Sequence, residues 1–80
     1  MRLDKFLKVS RLIKRRTVAN DACGEGLVSV NGRVAKPSCD VAVGDEIEVR
    51  FGAKTMRFRV LSVAENVRKN ESSEMYEVLS

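Results

Sequence analysis

The hydrophobic pattern of this 80-residue chain changes its period once, near Leu27, and that change limits the folds open to it. Before Leu27, apolar side chains recur with the spacing of one helix face. After Leu27 they alternate with polar side chains, which is typical of strands with one buried face. The chain is long enough for one domain. We therefore predict an α+β fold in which two short N-terminal helices pack on a small, mostly antiparallel β-sheet.

The first helix is predicted over residues 2–13. At about 100° per residue, the apolar side chains share one arc and the basic side chains cover the other side. Asp4 complements the dipole at the helix start and is placed to pair with Lys8; we expect it to orient Lys and Arg neighbours rather than act in acid–base chemistry. The buried arc contains Leu3, Phe6, Leu7, Ser10 and Ile13, and the outer side contains Arg2, Lys5, Lys8, Arg11 and Leu12.

The second helix is predicted to begin at Thr17, whose hydroxyl is suited to cap the helix N-terminus. Gly24 and Gly26 end it, with Gly26 in the left-handed conformation that often follows a helix. The side chains expected to pack on the first helix are small, and we interpret the thiol among them as a core residue: Ala19, Ala22 and Cys23. The loop between the two helices then carries three bases: Lys14, Arg15 and Arg16.

The strand region begins with a hairpin, because Asn31-Gly32 favours a type I′ turn between two short strands. The predicted strands cover 28–30, 33–35, 46–51, 56–60 and 75–79, with turns at 36–38 and 44–45 and a polar loop over 66–74. The three phenylalanines lie on inward faces and are predicted to be core residues: Phe6, Phe51 and Phe58. We expect Arg57 and Arg59 to pair with acidic neighbours such as Glu46 and Glu48 across strands, and Tyr76 to dock in the last strand.

Basic residues are concentrated at the N-terminus. Seven of the fifteen lysines and arginines lie in residues 1–16, where Asp4 is the only acid. That segment carries a charge of +6 and the remaining residues carry −2, which together give the net +4 of the chain. A charge concentrated in this way favours a polyanionic partner over a general role in solubility.

The composition argues against catalysis and metal binding. The chain has no His, the commonest general base and metal ligand, so we expect no catalytic residue, no metal and no cofactor. Cys23 and Cys39 lack the spacing and the partners of a zinc site. Their spacing leaves one disulfide open, but nothing indicates export, and we expect free thiols in a cytoplasmic protein. No stretch reaches the length of a membrane helix, so no membrane partner is expected.

Four separated blocks of the sequence resemble the S4 domain, an RNA-binding domain named after small-subunit ribosomal protein four. The blocks are Arg2–Leu7, Arg15–Ala19, Gly26–Gly32 and Lys36–Ser38, followed by Val41, Gly44-Asp45 and Ile47. The resemblance implies a pair of helices beside a small sheet, with a core motif over residues 1–50 and additional strands over residues 51–80 of a single domain.

The run Lys8–Arg16 is similar to short stand-alone S4 proteins of ribosome-associated quality control. The stand-alone fifteen-kilodalton heat-shock proteins carry a basic C-terminal extension, which we do not see before Ser80. The resemblance implies a non-enzymatic, monomeric factor that binds rRNA and peptidyl-tRNA on a stalled large ribosomal subunit. It also implies support for a quality-control elongation factor during template-free tailing. An assembly factor, an accessory subunit of an RNA-modifying enzyme and a general nucleic-acid chaperone are the alternatives.

The candidate RNA-binding residues follow from charge and from the resemblance together. Arginine engages phosphate bidentately, lysine acts as a point charge, and a helix N-terminus offers unpaired N–H groups. Structured RNA is read largely by shape and phosphate contacts, which suits a rigid basic face. Any single lysine here is equally well explained as a solvated side chain. The candidates, led by Arg2 and Arg16, are Arg2, Lys5, Lys8, Arg11, Lys14, Arg15, Arg16, Thr17 and Lys36.

Overall fold

The computed structural model describes residues 1–64 and 74–79. Two helices come first and strands follow, which confirms the predicted α+β fold. The described elements are α1 (Leu3–Val9), α2 (Arg16–Gly24), β1 (Val28–Val30), β2 (Arg33–Val34), β3 (Glu46–Phe51), β4 (Lys54–Val60) and β5 (Tyr76–Val78). The strands form one sheet in the order β2-β1-β3-β4-β5, and every pairing among them is antiparallel.

Helix α1 ends at Val9, so the predicted extent of residues 2–13 is wrong. Arg11 adopts a φ of 63°, a left-handed conformation that interrupts a right-handed helix. The chain reverses there, and the N–H of Ile13 donates to the carbonyl of Leu7 at 3.0 Å. Ile13 is buried as predicted, but through this turn and not through helical spacing. Leu12, predicted on the outer side, is half-buried against the core.

Helix α2 begins at Arg16, and Arg15 at the N-cap makes no side-chain capping bond. Thr17 lies inside the first turn, so the prediction that it caps the helix is wrong. The C-terminus is as predicted, because Gly26 has a φ of 76°. The N–H groups of Leu27 and Gly26 donate to the carbonyls of Ala22 and Cys23 at 3.0 and 3.1 Å. This pair of bonds is a Schellman motif, which sets the direction in which the chain enters β1.

The core lies between the two helices and one face of the sheet. Phe6, Phe58 and Cys23 are buried as predicted. Phe51 is 47% exposed, and the prediction that it is a core residue is wrong. It ends β3, and the strand alternation continues there beyond the part of the sheet that the helices cover. The buried apolar residues are Leu3, Phe6, Leu7, Ile13, Ala19, Cys23, Val28, Ala35, Val41, Ile47, Val49, Phe58, Val60 and Met75.

The strand predictions are accurate in place and off by a few residues at their ends. Asn31 and Gly32 both have positive φ, at 51° and 83°, as a type I′ hairpin turn requires. Strand β4 extends back to Lys54, and β5 is shorter than residues 75–79. Tyr76 packs edge-to-face on Phe58 with ring centroids 5.4 Å apart, which confirms its docking role. Except for Glu74, the predicted loop over residues 66–74 lies outside the described residues.

The cross-strand ion pairs of the outer sheet face are partly as predicted. Arg57 contacts Glu46 at 3.3 Å. Arg59 contacts Glu77 at 3.5 Å, so it pairs with an acidic neighbour across strands as predicted, but with Glu77 and not with Glu46 or Glu48. Arg59 lies directly opposite Glu46 on β3 and Glu77 on β5. Glu46 contacts Arg57, and Glu77 contacts Arg59.

Candidate nucleic-acid interface

The start of the chain is fixed in place by backbone hydrogen bonds to residues 37–41. The N–H of Leu3 donates to the carbonyl of Cys39 at 2.8 Å, and the N–H of Val41 donates to the carbonyl of Met1 at 2.7 Å. The N–H of Asp4 donates to the carbonyl of Pro37 at 3.2 Å. The first turn of α1 is therefore held to the loop over residues 37–41. These bonds fix the backbone position from which the side chains of this turn extend.

Asp4 lies at the centre of a cluster of polar side chains from both helices and is 2% exposed. Arg2 approaches it with two nitrogens, Nε at 3.2 Å from Oδ1 and Nη2 at 3.3 Å from Oδ2. Nε of Arg16 and Nδ2 of Asn20 each lie 3.4 Å from Oδ2. The backbone N–H of Lys5 donates to Oδ1 at 2.8 Å. One carboxylate thus joins two arginines that are distant in sequence.

The two arginines are oriented by Asp4 but are not enclosed. Their side chains are 51% and 48% exposed for Arg2 and Arg16, while that of Asp4 is 3% exposed. Asp4 engages the Nε of Arg16, and within residues 1–64 and 74–79 neither Nη group of Arg16 donates to an acceptor, so both are available to a ligand. Arginines held in this way have lost much of their freedom before binding, so less conformational entropy is lost when they contact phosphate. The cluster is suited to bidentate recognition of an anion.

Two opposing influences set the pKa of Asp4: its burial, and the hydrogen bonds and charges of its partners. Burial is the largest single influence and raises the pKa. The hydrogen bonds from Asn20, Arg2 and the N–H of Lys5, together with the charge of Arg16, lower it by more, so the pKa lies below its ordinary value of 3.8. Asp4 is therefore ionised at neutral pH and able to hold both guanidinium groups.

Acid is expected to destabilise the fold through Asp4. Because its pKa is lower in the folded chain than in the unfolded one, the stabilisation is complete above the ordinary value and disappears as the pH falls through the folded value. We expect the free energy of unfolding, measured with urea at fixed salt, to decrease from about pH 4 downward. Asp4→Asn should show a smaller decrease over the same range. Equal decreases in both proteins would assign the effect to other carboxylates.

The structure brings three of the predicted RNA-binding residues together. Arg2, Arg16 and the exposed Thr17 surround Asp4, and a depression of about 310 Å³ is lined by Asp4, Arg16, Thr17, Asn20 and Asp21. The other N-terminal candidates lie on α1 and in the segment between α1 and α2: Lys5, Lys8, Arg11, Lys14 and Arg15. Lys36 is exposed in a second depression, which it shares with Arg33 and Cys39.

Asn20 is the site residue that the sequence prediction omitted. It lies four positions after Arg16 on α2, a spacing that places both side chains on one helix face, and this was the available signal. The predicted pairing of Asp4 with Lys8 is wrong. Among the ion pairs of the described residues, Asp4 contacts Arg2 and Arg16.

The two cysteines are free thiols. Burial, with smaller contributions from the charges of Asp4 and Cys39, raises the pKa of Cys23 to about 11. Cys23 is therefore protonated at neutral pH and serves as an apolar core residue. Within residues 1–64 and 74–79, no three side chains of the metal-binding types converge, and no helix is long and apolar enough to cross a membrane.

The arrangement of two helices, a small antiparallel sheet and a basic helix surface defines the class of this protein. Residues 1–47 match the family model of the S4 domain. The chain belongs to the S4 domain family, as its sequence blocks predicted.

Individual relatives extend the similarity to nearly the whole chain. Over 78 residues the chain is 56% identical to a protein of Halalkalibacterium halodurans named RQC P-site tRNA stabilizing factor, covering 98% of this chain and 89% of the relative. A protein of the same name from Bacillus subtilis is 52% identical over 79 residues, covering 99% and 92%. The predicted resemblance to quality-control proteins of the S4 family is confirmed.

A solved structure agrees with the fold. Heat Shock Protein 15 of Vibrio cholerae, described as trimeric, superposes with a TM-score of 0.90 at 31% sequence identity, covering 100% of this chain and 82% of that one. The similarity to heat-shock proteins is therefore confirmed at the level of the fold.

Proposed function

We propose that this chain is a non-enzymatic factor that binds rRNA and tRNA on the large ribosomal subunit through the surface around Asp4. The observation that carries the proposal is the pair of half-exposed arginines, Arg2 and Arg16, oriented by one buried carboxylate. Such a pair fits the phosphates of structured RNA, and the remaining N-terminal bases add attraction along the backbone.

The relatives support a finer form of the proposal. Their name specifies stabilisation of P-site tRNA, and they match this chain along at least 98% of its length. We therefore propose that the factor acts on large subunits that retain peptidyl-tRNA after a stalled ribosome has split. There it supports template-free tailing by a quality-control elongation factor. In this proposal the factor works in the cytoplasm as a monomer, and residues 1–80 act as one RNA-binding domain.

Crosslinking in cells, followed by sequencing of the bound RNA positions, tests this function. We expect sites confined to tRNA and to rRNA of the large-subunit face that meets the small subunit. Crosslinks spread over rRNA that is exposed only in precursor particles would indicate an assembly factor instead. A complex with an RNA-modifying enzyme and no ribosomal peak in a sucrose gradient would indicate an accessory subunit.

The salt dependence of tRNA binding distinguishes a lysine that contacts phosphate from a lysine that is only solvated. Lys8 is exposed in the last turn of α1. We expect Lys8→Ala to weaken tRNA binding a few-fold and to reduce the slope of log K against log salt by about 0.7 to 0.9, the value for one phosphate. Lys54→Ala, at an exposed lysine that begins β4, is the matched control and should leave the slope unchanged. Equal slopes for all three proteins would remove Lys8 from the interface.

A further inference from the structure

A groove of about 310 Å³ opens between α2 and the end of β3. Its lining is mostly apolar and includes Leu12, Ala22 and Leu27. Val18 on the helix and Phe51 on the strand both line it, and they are 49% and 47% exposed. Single exposed apolar side chains are ordinary, but two large ones facing one concave surface are typical of a binding site.

This groove lies on the opposite side of α2 from the Asp4 cluster. Arg16 and Asn20 contact Asp4, whereas Val18 and Ala22 line the groove. At about 100° per residue, the two pairs project in opposite directions from the helix axis. A ligand on the Asp4 cluster therefore leaves Val18 and Ala22 accessible, while Asp21 borders both the groove and the depression beside Asp4.

The helix side of the groove is negatively charged. Asp21 and Glu25 line it, and neither forms an ion pair within the described part of the chain. Glu25 is the C-cap of α2, and the last turn of this helix contains no basic residue. The partial negative charge of a helix C-terminus adds to the two carboxylates there. These negative charges favour a cationic group at the helix side of the groove, while Arg50 supplies one positive charge on the strand side.

We propose that the groove binds a basic, amphipathic segment of a second protein. An apolar side chain of that segment inserts between Val18 and Phe51, and its lysines or arginines contact Asp21 and Glu25. A second copy of this chain fits less well, because two copies meeting at their grooves bring the Asp21 and Glu25 carboxylates of both together with only one Arg50 from each. The proposal concerns a protein partner and does not depend on RNA binding at Asp4.

A peptide titration tests the chemistry of the groove. The probe is an amphipathic peptide of leucine and lysine, compared with a peptide in which glutamate replaces each lysine. On isotope-labelled protein without RNA, we expect the lysine peptide to shift the amide resonances of Val18, Glu25 and Phe51, and the glutamate peptide to leave them unchanged. Shifts elsewhere, or with both peptides, would overturn the proposal.

Two variants locate the binding. Val18→Asp should weaken the lysine peptide at least tenfold, and Val43→Asp, at a valine that is 62% exposed outside the groove, should not. A double charge reversal, Asp21→Lys with Glu25→Lys, keeps Val18 intact and should exchange the preference to the glutamate peptide. Unchanged preference after the reversal would contradict the proposed role of the two acids. Val18→Asp should retain tRNA binding, so a failure of this proposal is distinct from a failure of the RNA-binding one.

A photoreactive phenylalanine analogue at position 51 identifies the occupant in cells. We expect a crosslinked protein segment in which an apolar residue is flanked by lysine or arginine, and we expect the crosslink to disappear in Val18→Asp. A crosslink to rRNA, to a second copy, to another part of the same chain, or to a protein segment without this chemistry would overturn the proposal. So would the absence of any crosslink.

Discussion

Replacing Arg16 with alanine is expected to abolish co-sedimentation with the large ribosomal subunit while leaving the fold intact. Arg16 is the first residue of α2, its side chain is 48% exposed, and only its Nε contacts Asp4. The groups that remain free would bind phosphate through charge-assisted bonds, whose loss costs about 2 kcal/mol, or about thirty-fold in Kd. A partly exposed ion pair contributes at most about 1 kcal/mol to stability, so the variant should remain folded.

Arg57→Ala is the matched control for this experiment. Arg57 also pairs with a carboxylate, has a side chain that is 50% exposed, and lies on the outer face of the sheet. Both substitutions remove one positive charge, so an interaction driven by net charge alone would weaken equally in the two variants. We expect the loss in Arg16→Ala and in Arg2→Ala, and we expect Arg57→Ala to sediment as the unmodified protein does. Unchanged sedimentation of Arg16→Ala and Arg2→Ala would reject the proposed interface.

The fold was predictable because the buried residues of each helix and strand recur in the sequence at the period of that element. Phe6 on α1 and Ile47 on β3 occur at the spacing of their elements, and both are 0% exposed. Phe51 shows the limit of this signal. It continues the alternation of β3, but α2 and the end of this strand border an open groove that leaves its side chain half-exposed. Periodicity carries no information about which part of a sheet is covered. The same residue then contributes to the groove that we propose as a docking site.

The helix boundary at Val9 depended on a conformation that the residue type does not reveal. Arg11 has a φ of 63°, and arginine has no special preference for the left-handed region. The burial of Ile13 stabilises this turn, and the turn positions the loop that leads into α2. Ile13 satisfied the helical pattern as well, so hydrophobic spacing did not distinguish the two geometries.

The basic surface was predictable from charge, whereas the arrangement of its centre was not. The concentration of bases in residues 1–16 marked the surface, and the S4 blocks selected Arg2 and Arg16. The burial of Asp4 depends on contacts that are distant in sequence, with Arg16, Asn20 and the carbonyl of Pro37. A charged residue on a short helix is ordinarily exposed, so nothing local indicated that this carboxylate would organise both arginines.

Asp4→Asn tests whether RNA binding depends on the orientation of Arg2 and Arg16 or only on the positive charge of the surface. The substitution keeps the side-chain shape and raises the net charge of the basic surface by one, which by itself should strengthen RNA binding. It also removes the ionised acceptor that Arg2 and Arg16 share and weakens the bonds from Asn20 and the N–H of Lys5. We expect orientation to dominate, with about tenfold weaker tRNA binding and a loss of about 1 to 3 kcal/mol of stability. Stronger binding would show that charge alone governs the interface.

A double-mutant comparison then tests whether Asp4 acts through the arginines. If it does, Asp4→Asn should weaken tRNA binding in the unmodified protein but cause little further loss in a chain that already carries Arg2→Ala and Arg16→Ala, because no oriented guanidinium remains to be released. Independent, additive losses would instead mean that Asp4 affects binding by another route, such as the anchoring of α2 to α1 through Asn20. Unfolding measured by urea on the same variants distinguishes that route, because an effect on anchoring would lower stability in both backgrounds equally.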